Sequence, residues 1–102
     1  MVKKISESEF HLVEESDVAV IDFSATWCGP CKMLAPVIDE VSEQMEDVNF
    51  FNIDVDENQS LAVKYGVSSI PAVMVFKKGE KVAQNVGFVP KDAIVKFISD
   101  NK

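Results

Sequence analysis

Arginine is absent from this 102-residue sequence, and all ten basic residues are lysines. Seventeen acids oppose them, for a net charge of −7. An acidic chain without guanidinium groups has the wrong electrostatic footprint for phosphate or nucleic acid, so no nucleic-acid partner is expected. The charge is assigned instead to a solvated surface that keeps the molecule dispersed. Also missing is any apolar run of 18 residues, so no membrane-spanning helix and no membrane partner are expected. The opening Met1-Val2-Lys3-Lys4-Ile5-Ser6-Glu7 is basic but meets no apolar stretch, and it does not read as a signal peptide. A cytoplasmic address follows as the expectation.

Cysteine and histidine are equally scarce. There are two cysteines, Cys28 and Cys31, and one histidine, His11. A chain of this length holds a core without staples, so a single domain over 1–102 is expected and a disulfide scaffold is not. Glycine and proline, four of each, are scattered as punctuation, with no repeat, linker or low-complexity segment.

What is present reads as alternating strands and helices in the order β-α-β-α-β-α-β-β-α. Residues 2–5 suggest an edge strand. Ser6 and Glu9 have capping-box spacing before a short amphipathic helix carrying Phe10, Leu12 and Val13. Val18-Ala19-Val20-Ile21-Asp22-Phe23-Ser24 is nearly all apolar and β-branched, as a strand buried on both faces requires. Leu34, Val37, Ile38, Val41 and Met45 then recur at helical spacing, with Pro36 expected to kink the helix. A strand is predicted over 48–55. Asp56 and Gln59 suggest the cap of a third helix with Leu61, Ala62 and Tyr65, ended by Gly66. Residues 72–76 read as a buried strand, Lys77-Lys78-Gly79-Glu80 as a turn, and 81–86 as its hairpin partner. Pro90 opens a last helix with Ile94, Phe97 and Ile98 on its core face. The pattern predicts an α/β fold: a mixed central sheet of about five strands, flanked on both faces by about four helices, with a parallel β-α-β part.

The chemistry is concentrated in Trp27-Cys28-Gly29-Pro30-Cys31-Lys32. Two thiolates alone fall short of the three or four ligands zinc uses, and His11 is distant in sequence, so no metal site is expected. A structural staple over so small a loop removes little chain entropy. The redox reading has positive support. Cys28 falls where a buried strand meets the start of a long helix, whose amides and dipole stabilise a thiolate. Gly29 permits the turn, and Pro30 suits the first helical turn, where its missing N–H costs nothing. An asymmetric pair is predicted: Cys28 exposed and nucleophilic, Cys31 shielded and resolving the mixed disulfide. Asp22 interrupts its apolar strand and points to the same face as Val18 and Val20. Burial there raises a carboxyl pKa, and such an acid serves as proton acceptor and donor for the second thiol. Pro71 stands at the start of a strand, where it breaks no ladder; local sequence gives no reason for a cis Ile70–Pro71 bond.

The chain resembles the thioredoxin family over essentially its whole length. The resemblance rests on Asp22 to Lys32, Pro36, Lys64-Tyr65-Gly66-Val67, Ile70-Pro71, Lys78-Gly79-Glu80 and Val86-Gly87. It implies a thioredoxin fold, a cis Pro71, and a general protein disulfide reductase acting on many disulfide-containing proteins. It also implies a substrate-binding surface of Trp27, Gly29, Pro30, Ile70, Pro71, Val86 and Gly87, flat, uncharged and modestly apolar. The Cys28–Cys31 disulfide is then re-reduced by a thioredoxin reductase using NADPH or ferredoxin electrons. The chain binds no cofactor of its own, and a monomer is expected. Alternatives are an oxidant or isomerase on the same fold, or a redox-independent binding subunit. Three positions depart from common family residues: Ser24 where many relatives carry a second tryptophan, Asn52 where many bacterial relatives carry lysine, and Phe88 where smaller residues are common. Without a lysine at 52, the Asp22 pKa is expected to be higher.

Overall fold

A computed structural model describes residues Met1–Lys102. Its five strands are β1 (Val2–Lys4), β2 (Val18–Ser24), β3 (Asn49–Asp54), β4 (Ala72–Lys77) and β5 (Glu80–Val86). They form one sheet in the order β1-β3-β2-β4-β5. β3 is parallel to both β1 and β2, whereas β4 runs antiparallel to β2 and β5 antiparallel to β4. The mixed sheet expected from the alternation is therefore observed.

Four helices cover it: α1 (His11–Glu14), α2 (Gly29–Gln44), α3 (Gln59–Lys64) and α4 (Lys91–Asn101). β2 sorts its side chains by alternation. Ala19, Ile21 and Phe23 pack with Phe51, Ile53, Met74 and Phe76 under α1 and α3. Val20 packs with Val73 and Val75 under Leu34, Ile38 and Val41 of α2 and Ile94 and Ile98 of α4. Because β2 is the middle strand and is covered on both faces, its residues from Ala19 to Phe23 are all buried. That is why the sequence there lacks polar alternation, and why Asp22 stands out.

The first helical segment is more broken than its periodicity suggests. A 3-10 turn at Glu7–Glu9 precedes an α1 of four residues. The Ser6 N–H donates to Glu9 Oε1 at 3.1 Å, the reaching-back half of a capping box. Phe10 and Val13 still face the core. α2 runs on through Pro36, with Cys31, Leu34, Ile38 and Val41 as its buried stripe.

Asp56 does not cap α3. The residue before that helix is Asn58. Asp54 takes the local amides instead, its Oδ1 accepting from the N–H groups of Asp56 and Glu57 at 2.8 and 3.2 Å. The hairpin between β4 and β5 turns at Lys78 and Gly79, with φ of 51° and 83°. Two consecutive positive φ values match the right-handed twist of the strands they join.

Candidate active site

Cys28 is the residue immediately before α2, and Cys31 lies in its first turn. The strand-to-helix junction places Cys28 in extended backbone, so its sulfur turns back over the open end of the helix. The Cys31 N–H donates to Cys28 Sγ at 3.2 Å. This sulfur thus takes the capping position usually held by a serine or aspartate oxygen, where the unpaired amides and the helix dipole favour negative charge. The two cysteines are joined as a disulfide, with their Cα atoms 5.2 Å apart. No three His, Cys, Asp or Glu side chains come together as a metal-ligand group.

The expected contrast in exposure is not observed. Cys28 is 5 % exposed and Cys31 4 %. Both are covered because Ala25 packs with them and Val55 and Ile70 close over the cluster. Those two residues come from the segments after β3 and before β4, so this burial was invisible in the local motif. The difference between the sulfurs lies elsewhere. Cys28 faces the helix amides, while Cys31 begins the buried stripe of α2.

Asp22 lies in β2 between Ile21 and Phe23, with its side chain on the α2/α4 face that also holds Val20. It is 3 % exposed. Burial pushes its carboxyl up from the ordinary 3.8 to about 6, against an opposing effect of the Asn52 side chain. Asn52 is its register partner on β3. The Asn52 amide donates to the Asp22 main-chain oxygen at 3.0 Å and to Ser24 Oγ at 2.8 Å. Two of the departures noted in the sequence, Ser24 and Asn52, are therefore hydrogen-bonded to each other beside the acid. Asp22 Oδ1 is buried without a partner.

The remaining predicted site residues converge at the same end of the sheet. The Ile70–Pro71 peptide bond is cis. The Gly87 N–H donates to the Pro71 carbonyl at 2.8 Å, tying the start of β4 to the end of β5. Gly87 has φ of 92°, a left-handed value that favours glycine. Trp27 is 69 % exposed and Val86 48 %, while Ile70 is half-buried against the cysteines. A cleft of about 190 Å³ runs between Trp27, Val55 and the 67–70 segment. Gly29 and Pro30 stand exposed beside it.

One contact in this region escaped sequence reasoning. The Trp27 indole N–H donates to Asp56 Oδ2 at 2.7 Å, across 29 residues of sequence. Asp56 is the residue whose spacing suggested a helix cap. Its carboxylate instead fixes the plane of the largest exposed aromatic, and it adds a charge to the rim of a surface expected to be uncharged. The only local signal was an acid left over once Asp54 had taken the turn amides.

With this geometry in place, the comparisons with known proteins agree with it. The thioredoxin family model matches residues 1–100. The chain belongs to the thioredoxin family. It is 46 % identical over 99 residues to a thioredoxin of Bacillus subtilis, covering 96 % of this chain and 95 % of that one. It is 45 % identical over 98 residues to a thioredoxin of Staphylococcus aureus, covering 95 % of this chain and 94 % of the other. Among solved structures, a point mutant of a thioredoxin from Halobacterium salinarum superposes with a TM-score of 0.91 at 39 % identity, covering 98 % of this chain and 89 % of that one. Family membership and a linked Cys28–Cys31 pair make the chain a thiol–disulfide oxidoreductase. No helix is long and apolar enough to cross a membrane.

Proposed function

We propose that this chain, acting as one domain over 1–102, is a general protein disulfide reductase of the cytoplasm and works as a monomer. The observation that carries this reading is Cys28 Sγ at the capping position of α2, accepting the Cys31 N–H. A sulfur held there is stabilised as the thiolate, which is the attacking form.

In the proposed cycle, the Cys28 thiolate attacks one sulfur of a substrate disulfide. A Cys28–substrate bond forms, and the other substrate sulfur leaves as a thiolate and takes up a proton. The Cys31 thiol passes its proton to the Asp22 carboxylate and attacks Cys28 Sγ. The Cys28–Cys31 bond forms, the Cys28–substrate bond breaks, and the substrate departs with two electrons gained. With its pKa near 6, Asp22 is mostly ionised at neutral pH, yet a better base than an ordinary aspartate. Trp27, Gly29, Pro30, Ile70, Pro71, Val86 and Gly87 form the docking surface for an extended substrate segment, suited to brief binding of many proteins. A thioredoxin reductase then returns the disulfide to the dithiol with electrons from NADPH or ferredoxin.

The test is reduction of insulin disulfides with NADPH and a thioredoxin reductase. The native chain is expected to be active and Cys28→Ser inactive. Cys31→Ser is expected to trap mixed disulfides, because attack survives and resolution is lost; failure to trap them removes the assigned roles. An oxidant or isomerase on this fold is disfavoured by Gly29-Pro30, which places no histidine between the cysteines. A reduction potential in the disulfide-isomerase range, about −180 mV, would reverse that choice. A redox-independent binding role would be favoured if the double variant Cys28→Ser, Cys31→Ser still supported cellular function.

A further inference from the structure

The residue that follows the docking surface is the one phenylalanine that the fold leaves in water. Of the chain's seven phenylalanines, five are buried and Phe97 is half-buried, whereas Phe88 is 40 % exposed. Its backbone is nonetheless held on both sides. Gly87, before it, donates its N–H to the Pro71 carbonyl at 2.8 Å. Val89, after it, packs against the core under α2 and α4, and the Pro90 carbonyl accepts the N–H groups of Ala93 and Ile94. The Phe88 Cα is one peptide step, about 3.8 Å, from that of the tethered Gly87. The ring's place at the surface is therefore set by the fold and not by a loose loop.

The sheet order says which side of the disulfide this is. Across the sheet run β3, β2, β4 and β5. At the disulfide end, Val55 follows β3, Trp27 and the cysteines follow β2, Ile70–Pro71 precedes β4, and Gly87 and Phe88 follow β5. Ile70 packs on the cysteines. Phe88 thus stands across Ile70–Pro71 from Trp27, and it does not line the Trp27 cleft. The two flanks differ in chemistry. The Trp27 flank carries the Asp56 carboxylate, bonded to the indole at 2.7 Å. The β5 flank carries Val86, 48 % exposed, and the Phe88 ring. The next charged side chain along the chain, Lys91, is held by Glu40 at 2.9 Å.

We propose that Phe88 is a specificity-determining residue for disulfide exchange: its ring forms the β5 side of the docking surface and favours protein segments with a large apolar side chain beside the cysteine that Cys28 attacks. This rests on the disulfide-reductase reading and adds to it a class of substrate. An extended segment lying over Ile70–Pro71 advances about 3.3 Å per residue, so a side chain one or two residues from its cysteine reaches this flank. An apolar side chain there removes its own surface and that of the ring from water. A charged one loses hydration with no opposite charge to meet it. Phe88 is not among the residues packed on the cysteines, and it exchanges neither proton nor electron. The bonds made and broken are those of the cycle above; Phe88 biases which disulfide is held in place to be attacked.

The test uses a pair of short peptides, each with a single cysteine in mixed disulfide with 5-thio-2-nitrobenzoate. The aromatic thiolate is the better leaving group and is coloured, so its release reads attack by Cys28 on the peptide sulfur. The two peptides differ only in carrying leucine or serine on either side of the cysteine. Each rate is divided by that of dithiothreitol with the same peptide, which removes intrinsic reactivity. Below saturation, the reduced native protein is expected to prefer the leucine peptide about fivefold. The preference should fall to about twofold or less in Phe88→Ala and persist in Phe88→Leu. Phe88→Gln gives the same reading should Phe88→Ala fail to fold. Hydroxyethyl disulfide, which carries no flanking side chain, is the reference for each protein. An undiminished leucine preference in Phe88→Ala overturns the assignment. So does an equal slowing with both peptides and hydroxyethyl disulfide, which would make Phe88 a packing residue only. A native protein no faster than dithiothreitol with either peptide is a different failure: it removes the disulfide-reductase reading, and this proposal with it.

Discussion

The two faces of the sheet follow opposite rules. Under α1 and α3 the packing is sealed, with Ile21, Phe23, Ile53, Met74 and Phe76 buried among one another. Phe10, Tyr65 and Phe76 close it with ring centroids 5.1 to 6.0 Å apart, one pair stacked and two edge-on. Under α2 and α4 the packing is as apolar in Val20, Val73, Val75, Leu34 and Ile38. Yet both buried side-chain atoms without hydrogen-bond partners belong there, Asp22 Oδ1 and Asn85 Nδ2. They flank Val73 in one row across the sheet, Asn52–Asp22–Val73–Asn85. A carboxyl at position 21 or 23 would meet close-packed apolar side chains; at 22 it meets a cleft. One face is closed and apolar, and the other gives up some packing to bury a carboxyl with an unpartnered oxygen.

The largest effect that tests this contrast is on the sealed face. Phe76→Ala is expected to destabilise the fold by about 3–5 kcal/mol, from lost transfer energy and the cavity left behind. Urea denaturation at pH 7 measures it. Attack and resolution rates in the remaining folded molecules should not change. A specific loss of the resolution phase would break the division between the faces.

The next effect has the opposite sign. Asp22 titrates near 3.8 in the unfolded chain and near 6 in the folded one, so the folded state binds the extra proton between those values. Its contribution is fully present below about pH 4 and is lost as pH rises through 6. The interval corresponds to roughly 3 kcal/mol. Asp22→Asn should therefore make the protein more stable at pH 8, by up to about 3 kcal/mol, with the difference closing below about pH 4. Denaturation at a series of pH values checks it. A variant no more stable than the native chain at pH 8 would mean that the carboxylate is well solvated through its cleft.

The contrast between faces was partly legible in the sequence. Asp22 declared itself because it alone interrupts Val18 to Phe23, and alternation assigned it to the face of Val18 and Val20. The α2 stripe and the helix start at Cys28 were equally readable, because strand and helix periods are local. What failed depended on distant segments. Cys28 is covered by Val55 and Ile70, which no spacing within the motif reveals. Asp56 had the right offset for a cap, but Asp54 won the turn amides and left Asp56 free for Trp27. The first helix was overread because Phe10 and Val13 need only one turn to reach the core. Asn52 was singled out as a departure at an acid's neighbour, but its bond to Ser24 required the β2–β3 register.

The smallest effect is the sharpest test of whether the α2/α4 face tolerates polar groups for chemistry or merely tolerates them. Asn85 lies in the same row as Asp22 and its amide nitrogen is also unpartnered, but it sits on edge strand β5 and does not border the cleft at Asp22. If its amide has no task, Asn85→Val removes an unmet donor and adds a good strand former. Stability should rise by about 1 kcal/mol, independently of pH between about 5 and 8, with the rates of Cys28 attack and Cys31 resolution unchanged. A stability gain that follows the Asp22 titration, or a slowed resolution by Cys31, would mean that Asn85 senses the carboxyl across Val73. The chemical part of the face would then extend along the whole row rather than ending at the acid.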